Sequence, residues 1–279
     1  MVMIMTTIPV TIFEFDVVYP ERAAQEQAEK KKLSAFGMFA KLNPLKHPKD
    51  ETVLAGQSVL RYEPFWRVEA VRNVAYTCQV NYPVTILNPH ARQVSVCGSD
   101  FDVIDGSDKR KIEIPAVEDC IRSLRVSSFR DALGRDIYES TLSAYLAKYA
   151  HHEVVMMDNR EALQPKLTIV SVVQETIAQL QGQAINATEI ISDETEFYTL
   201  CLYYRPVYAF EFVWSAADRR GVIEVNGLTG ETDENGQWFR EKLDRVLTKE
   251  MLIEATSELA GALVPGGGFV VKAISKMAS

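Results

Sequence analysis

Residues 61–70 read RYEPFWRVEA, and residues 203–212 read YYRPVYAFEF. Set against each other without a gap, Tyr62 falls on Tyr204, Pro64 on Pro206, Trp66 on Tyr208, Val68 on Phe210 and Glu69 on Glu211. Proline cannot donate to a β ladder, so within runs this rich in aromatic residues it belongs at an edge, a bulge or a strand start. Side chains two apart share a face of a strand, which groups Tyr62 with Trp66 and Tyr204 with Tyr208. Rings gathered on one face serve as the lid of a core or as the floor of a groove. Tyr62, Trp66, Glu69, Tyr204, Tyr208 and Glu211 are therefore the candidate groove residues.

Outward from these copies the chain reads as four regions. Residues 1–57 hold a strand, a basic amphipathic helix and a linker. Residues 58–164 form a first β module, with VLRYEPFWRVEAV, NVAYTCQVNYPVTIL, QVSVCGSDFDVI and KRKIEIP as separate strands and with AVEDCIRSLRV and GRDIYESTLSAYLAKYAHH as a helical extension. Residues 165–250 form a second module, a helix over PKLTIVSVVQETIAQLQG followed by a meander through TEFYTLCLYYRPVYAFEFVWS and RGVIEVNGLTGE. Residues 251–279 form an apolar helical tail broken by PGGG at 265–268. The expected fold class is α+β: two related antiparallel β-meander modules, each with packed helices, and a helical C-terminal tail.

A chain of 279 residues can bury a sizeable core without staples. With 47% hydrophobic and 24% charged residues the composition is that of a globular protein, and a net charge of −8 argues against nucleic acid as a partner. Cys78, Cys97, Cys120 and Cys201 are dispersed, with no CxxC pair and no histidine at ligand spacing. Neither a zinc site nor a disulfide framework is indicated, and no cofactor is implied. The apolar start MVMIMTTIPVTIFEFDVV carries Glu14 and Asp16 where a signal peptide is apolar, so it reads as a strand with Phe13, Phe15 and Val17 on one face. A cytoplasmic protein with reduced thiols fits these features.

The stretch LYYRPVYAFEFVW followed by GVIEVNGLTGE resembles a module of uncharacterised bacterial proteins, in which a YxPxW-type strand precedes a hairpin ending in a D/N-G-x-T-G turn. Its latter half is similar to the closing hairpin of PepSY-like domains. The resemblance covers the second copy and only part of the first, since no NGLTG turn follows RYEPFWRVEA. It implies a helix packed on an antiparallel sheet and a binding or regulatory role without catalysis, and it assigns no functional residue.

Familiar catalytic patterns fail on inspection. Counted from Asp100 as a calcium loop, SDFDVIDGSDK puts Ile104, Asp105 and Lys111 where an acidic ligand, the glycine and the closing glutamate are needed, so Asp100, Asp102, Asp105 and Asp108 read as a solvated turn. His151 and His152 read as a helix-end pair, and nothing local activates Cys78. VPGGGFVVK lacks the ending of a phosphate loop.

Two stretches suit partners. Lys30, Lys31 and Lys32 beside Phe36 and Phe39 make a basic amphipathic pattern fit for an anionic membrane surface or a protein. In the tail, Phe269 and Val270 follow the glycines, and each arm is too short to span a bilayer. The leading expectation is a non-enzymatic cytoplasmic binding or scaffolding protein that self-associates through this tail. The alternative is a peripheral protein at the inner face of the membrane, held by the basic helix and the tail. A third reading is an enzyme with Glu69 and Glu211 as paired carboxylates between the modules.

Overall fold

Period-two patterning continues far past the two motif copies, and the chain turns it into strands much longer than the usual five or six residues. The computed structural model describes residues 10–37, 47–106, 109–158, 161–234, 247–262 and 270–273. In chain order, β1 (Thr11–Phe15) leads to α1 (Glu21–Lys31), which starts directly after Pro20 and ends in a 3-10 turn over Lys32–Phe36. The 33-residue β2 (Val53–Thr85) is followed by the short β3 (Gln93–Val96), β4 (Ser99–Asp102) and β5 (Ile104–Asp105), then by the 22-residue β6 (Arg110–Asp131). Next come α2 (Glu139–Lys148), β7 (His151–Val154), β8 (Met156–Met157) and α3 (Ile169–Gln181). The 26-residue β9 (Glu189–Trp214) precedes β10 (Arg219–Asn226), β11 (Thr232–Asp233), β12 (Leu247–Thr248), α4 (Lys249–Ala262) and β13 (Val270–Ala273).

The expected pair of meander modules is replaced by one large mixed sheet. Among the described residues nine strands join, in the order β11-β10-β9-β2-β6-β5, with β1 and β13 parallel to β9 and β7 antiparallel to β1. Strand dominates, at 52%, and the helices are few and short. The reason is pairing: the two motif copies do not nucleate separate sheets but ladder against each other, β2 on β9, over almost the whole of β9. Three short strands then share the other edge of β9 end to end, β10 beside residues 207–214, β1 beside 201–204 and β13 beside 194–197.

Several local expectations change with this. VLRYEPFWRVEAV and NVAYTCQVNYPVTIL, expected as separate strands, run on through Arg72, opposite Leu124, as the single strand β2. AVEDCIRSLRV is not a helix but the middle of β6, where residues 123–128 alternate exposed and buried. QVSVCGSDFD is the β3–β4 hairpin, closed by Cys97 and Gly98 at φ 50° and 85°, the left-handed pair that a tight hairpin turn demands. Among the described residues the tail is helical only in α4, and residues 270–273 of its second arm form the strand β13, laddered to Glu194–Phe197, in place of the expected second helix.

Helices cover both faces of the sheet near the motif copies. On one face α3, with Leu252 of α4, closes over Trp66, Val68, Ala70 and Phe197, and α1 closes over Phe210, Phe212 and Trp214 through Ala24 and Ala28. Thr168 caps α3 by accepting from the Ser171 backbone N–H. On the opposite face α2 packs Leu142 and Tyr145 against Phe15, Phe65 and Tyr203. Among the described residues no helix is long and apolar enough to cross a membrane.

Candidate functional site

Tyr62 lies opposite Pro206, Glu63 opposite Arg205, and Pro64 opposite Tyr204. The two copies thus meet antiparallel about a local two-fold axis through the Glu63–Arg205 pair. Both prolines occupy matched gaps in the outer ladders. On the β2 side, the residue 161–163 segment bonds the Tyr62 backbone, and the next outward carbonyl, that of Pro64, accepts from the Ala132 N–H at 3.0 Å beside the end of β6. On the β9 side, Pro206 sits between the end of β1 and the end of β10, its carbonyl accepting from the Gly227 N–H at 2.9 Å. A residue without an N–H suits a place where the neighbouring strand changes.

Tyr62, Trp66, Tyr204 and Tyr208 do share one face, yet they are core rather than groove. Trp66 and Tyr204 are fully buried, and Tyr62 is 9% exposed. Their polar tips are satisfied inside: the Trp66 indole donates to the Leu167 carbonyl at 2.8 Å, and the Tyr208 hydroxyl to the Tyr19 carbonyl at 3.0 Å. The Tyr204 hydroxyl donates to the Leu163 carbonyl at 3.3 Å. Burial, aided by the nearby Glu14 carboxylate, pushes the Tyr62 phenol up to about 12.

The opposite face of the same residues carries an ion network that the sequence reading missed. Glu63 is fully buried and meets Arg61 at 2.7 Å, Arg135 at 2.7 Å and Arg205 at 2.9 Å. Arg61 also reaches Glu224 at 2.6 Å, and Arg135 reaches Asp131 at 2.8 Å. Burial alone would raise the Glu63 carboxyl, but the Arg205, Arg135 and Arg61 guanidiniums outweigh it and hold the group down at about 2. Three guanidiniums and three carboxylates make up this network, and Glu63 stays ionised, which makes it an anchor rather than a proton carrier.

Beside the network a cleft of about 380 Å³ opens between α2 and the β10–β11 turn, lined by Arg135, Tyr145, Arg205, Glu224, Asn226 and Asp233 among others. The Asn226 amide donates to the Tyr145 hydroxyl at 2.7 Å, and the Arg205 guanidinium lies over the Tyr145 ring at 5.8 Å. The one sequence signal for this site was the opposite charge of Glu63 and Arg205 at equivalent places in the two copies.

Glu69 and Glu211 are not brought together. Glu69 bonds Arg67 at 2.7 Å and Thr199 at 2.9 Å, and Glu211 bonds Arg220 at 3.0 Å. Glu69 pairs with Thr199, so Glu211 lies 12 residues further along β9, roughly 40 Å away at about 3.3 Å per residue. A shared acid/base pair is excluded by that separation. Lys31 meets Glu234 at 3.2 Å, Lys32 meets Asp50 at 3.3 Å, and Lys30 is exposed. Phe36 is buried with its ring 5.6 Å from Trp214, so this apolar side of the basic segment faces the chain's own core. Val270 opens β13 opposite Glu194, whereas Phe39 and Phe269 lie outside the described residues. His151 and His152 open a strand rather than end a helix. His151 packs among Phe13, Phe15 and Tyr203, and His152 lies 3.3 Å from Asp16. Among the described residues no cluster of three or more His, Cys, Asp or Glu is placed to hold a metal.

A second surface stands away from the helices. Beyond Thr77, β2 has left β9 and pairs only with β6, so Cys78–Thr85 and Lys111–Glu118 form a two-stranded arm. Tyr82, Val84 and Val117 are exposed on it, Leu87 follows at its end, and Ile121 is exposed on β6 just before the arm, opposite Ala75. The outer edge of β6 is open: among the described residues β5 pairs with Arg110 and Lys111 only. No family model, no curated protein and no solved structure matches the chain.

Proposed function

We propose that this protein is a non-enzymatic binding or scaffolding protein that works by self-association, with the β2–β6 arm as its contact surface. The observation that carries this reading is the open β6 edge, flanked by Val117 at 62% and Ile121 at 83% exposure. A strand edge of this length, left unpaired by the described residues and bordered by apolar side chains, is a template for pairing with another chain. Supporting it, β13 is already laddered to β9 of its own chain, which moves the contact from the tail to the arm. The buried Glu63 network and the aromatic face hold the scaffold that projects this arm.

Sedimentation velocity of the full chain over a wide concentration range tests the reading. A concentration-dependent dimer is expected, shifted toward monomer by the pair of substitutions Val117→Lys and Ile121→Lys. A monomer at every concentration overturns it.

A further inference from the structure

The inference that follows rests on self-association and gives it a geometry. On β6, Leu124 and Val126 are buried beneath α3, so Arg122, Cys120 and Glu118 continue the same face at steps of two, while Val117, Asp119, Ile121 and Ser123 occupy the other. Register between β2 and β6 runs from Phe65 opposite Asp131 to Thr85 opposite Lys111 without a shift, so no bulge turns the edge aside. Pro115 is the one residue of this edge without an N–H to offer.

Two identical antiparallel strands related by a two-fold axis pair residues of the same face, which sets the axis on a residue. An axis on Glu118 or Asp119 sets carboxylate against carboxylate, and one on Arg122 sets guanidinium against guanidinium. With the axis on Ile121, Glu118 would face Leu124 and Cys120 would face Arg122, and no charge would be matched. On Cys120 the pattern complements itself: Glu118 faces Arg122 of the partner subunit, and the same pair recurs across the axis. Val117 then faces Ser123 of the partner subunit, and the two copies of Ile121 reach each other diagonally. Ile112 faces Ser128 of the partner subunit, so the overlap uses the open edge up to the point where β5 takes over.

We propose that two copies of this chain join edge to edge through β6, antiparallel, with the two-fold axis at Cys120, making one sheet continuous across the dimer. Glu118 and Arg122 have other contacts that the arrangement retains. The Glu118 carboxylate accepts from the Tyr82 hydroxyl, and the Arg122 guanidinium donates to the Ala184 carbonyl at 3.0 Å. Directly opposed residues in an antiparallel ladder have Cα atoms about 4.5–5.5 Å apart, within reach of a disulfide.

The test uses the full chain with Cys78, Cys97 and Cys201 changed to Ser. This removes Cys78, which sits diagonally across β2 from Cys120 and would compete for it. Mild oxidation should yield a disulfide-linked dimer through Cys120, lost in Cys120→Ser, and Ile121→Cys in that cysteine-free background should cross-link far more slowly. By sedimentation equilibrium, Glu118→Arg alone and Arg122→Glu alone should each weaken association about tenfold, with the double exchange returning to within about threefold. A dimer that ignores Cys120, or a double exchange as weak as the singles, overturns this register while self-association stands. A chain that stays monomeric overturns both. The cross-link decides the matter even where a charge variant fails to fold.

Discussion

Glu63 and Arg205 face each other across β2 and β9 with their charged atoms 2.9 Å apart, and the rotation that exchanges the two motif copies passes through this pair. Removing one partner of a buried ion pair leaves the other charge uncompensated, which costs about 3–5 kcal/mol. Glu63→Gln is therefore expected to lower stability by about that amount, since Arg61, Arg135 and Arg205 all lose an anion. Arg205→Met should cost less, because Glu63 keeps two guanidiniums. Urea unfolding should show lower midpoints at an unchanged slope, with the double variant better than the sum of the singles.

The same carboxylate makes stability depend on acid. Its folded pKa is depressed to about 2 from an ordinary 4.5, so its contribution is fully present above about pH 4.5 and is lost as pH falls through 2. That contribution is on the order of 3 kcal/mol. Urea midpoints measured between pH 5 and 2 should fall more steeply for the native chain than for Glu63→Gln. Parallel slopes would show that the Glu63 carboxyl is not held down.

Much of the motif face was legible before the structure, and much of the topology was not. The even spacing of Tyr62 and Trp66 put them on one face, whereas Pro64 and Pro206 mark neither an edge strand, a bulge nor a strand start: both lie inside long strands, where the neighbouring strand changes. What the pattern could not convey was pairing. Residues 53–85 form one strand, yet VLRYEPFWRVEAV and NVAYTCQVNYPVTIL looked like two, because only a ladder secured on both sides shows that the chain runs straight through Arg72. AVEDCIRSLRV looked helical because its charges mask an alternation that only the α3-covered face reveals. The ion network draws on residues from 61 to 224, and no local spacing predicts such an assembly.

Gly221 offers a test of how α1 and its 3-10 extension are seated. An added Cβ there would lie 2.3 Å from the Ala35 carbonyl oxygen, a backbone atom that cannot swing aside. Gly221→Ala should therefore push residues 32–36 off β10 and cost about 1–3 kcal/mol, as overpacking does. Hydrogen exchange should report the change locally, with faster exchange in α1 and the Lys32–Phe36 turn and little change in the β2–β6 arm. Uniform acceleration across the chain would mean that α1 unfolds only with the whole sheet.

Trp66 decides between core and groove. Its ring is fully buried and its N–H is bonded to the Leu167 carbonyl, so Trp66→Ala should open a cavity and strand that acceptor. The expected loss is about 3–5 kcal/mol, and Trp66→Phe, which keeps most of the volume but not the donor, should lose about 1–3 kcal/mol. Tyr204→Phe removes a longer hydrogen bond, 3.3 Å to Leu163, and should cost about 1 kcal/mol or less. This ranking, read from chemical denaturation, follows from the aromatic face acting as packing. A ring that floored a binding groove would be replaceable at little cost to the fold, so an unfolding midpoint unmoved by Trp66→Ala would return these residues to the surface.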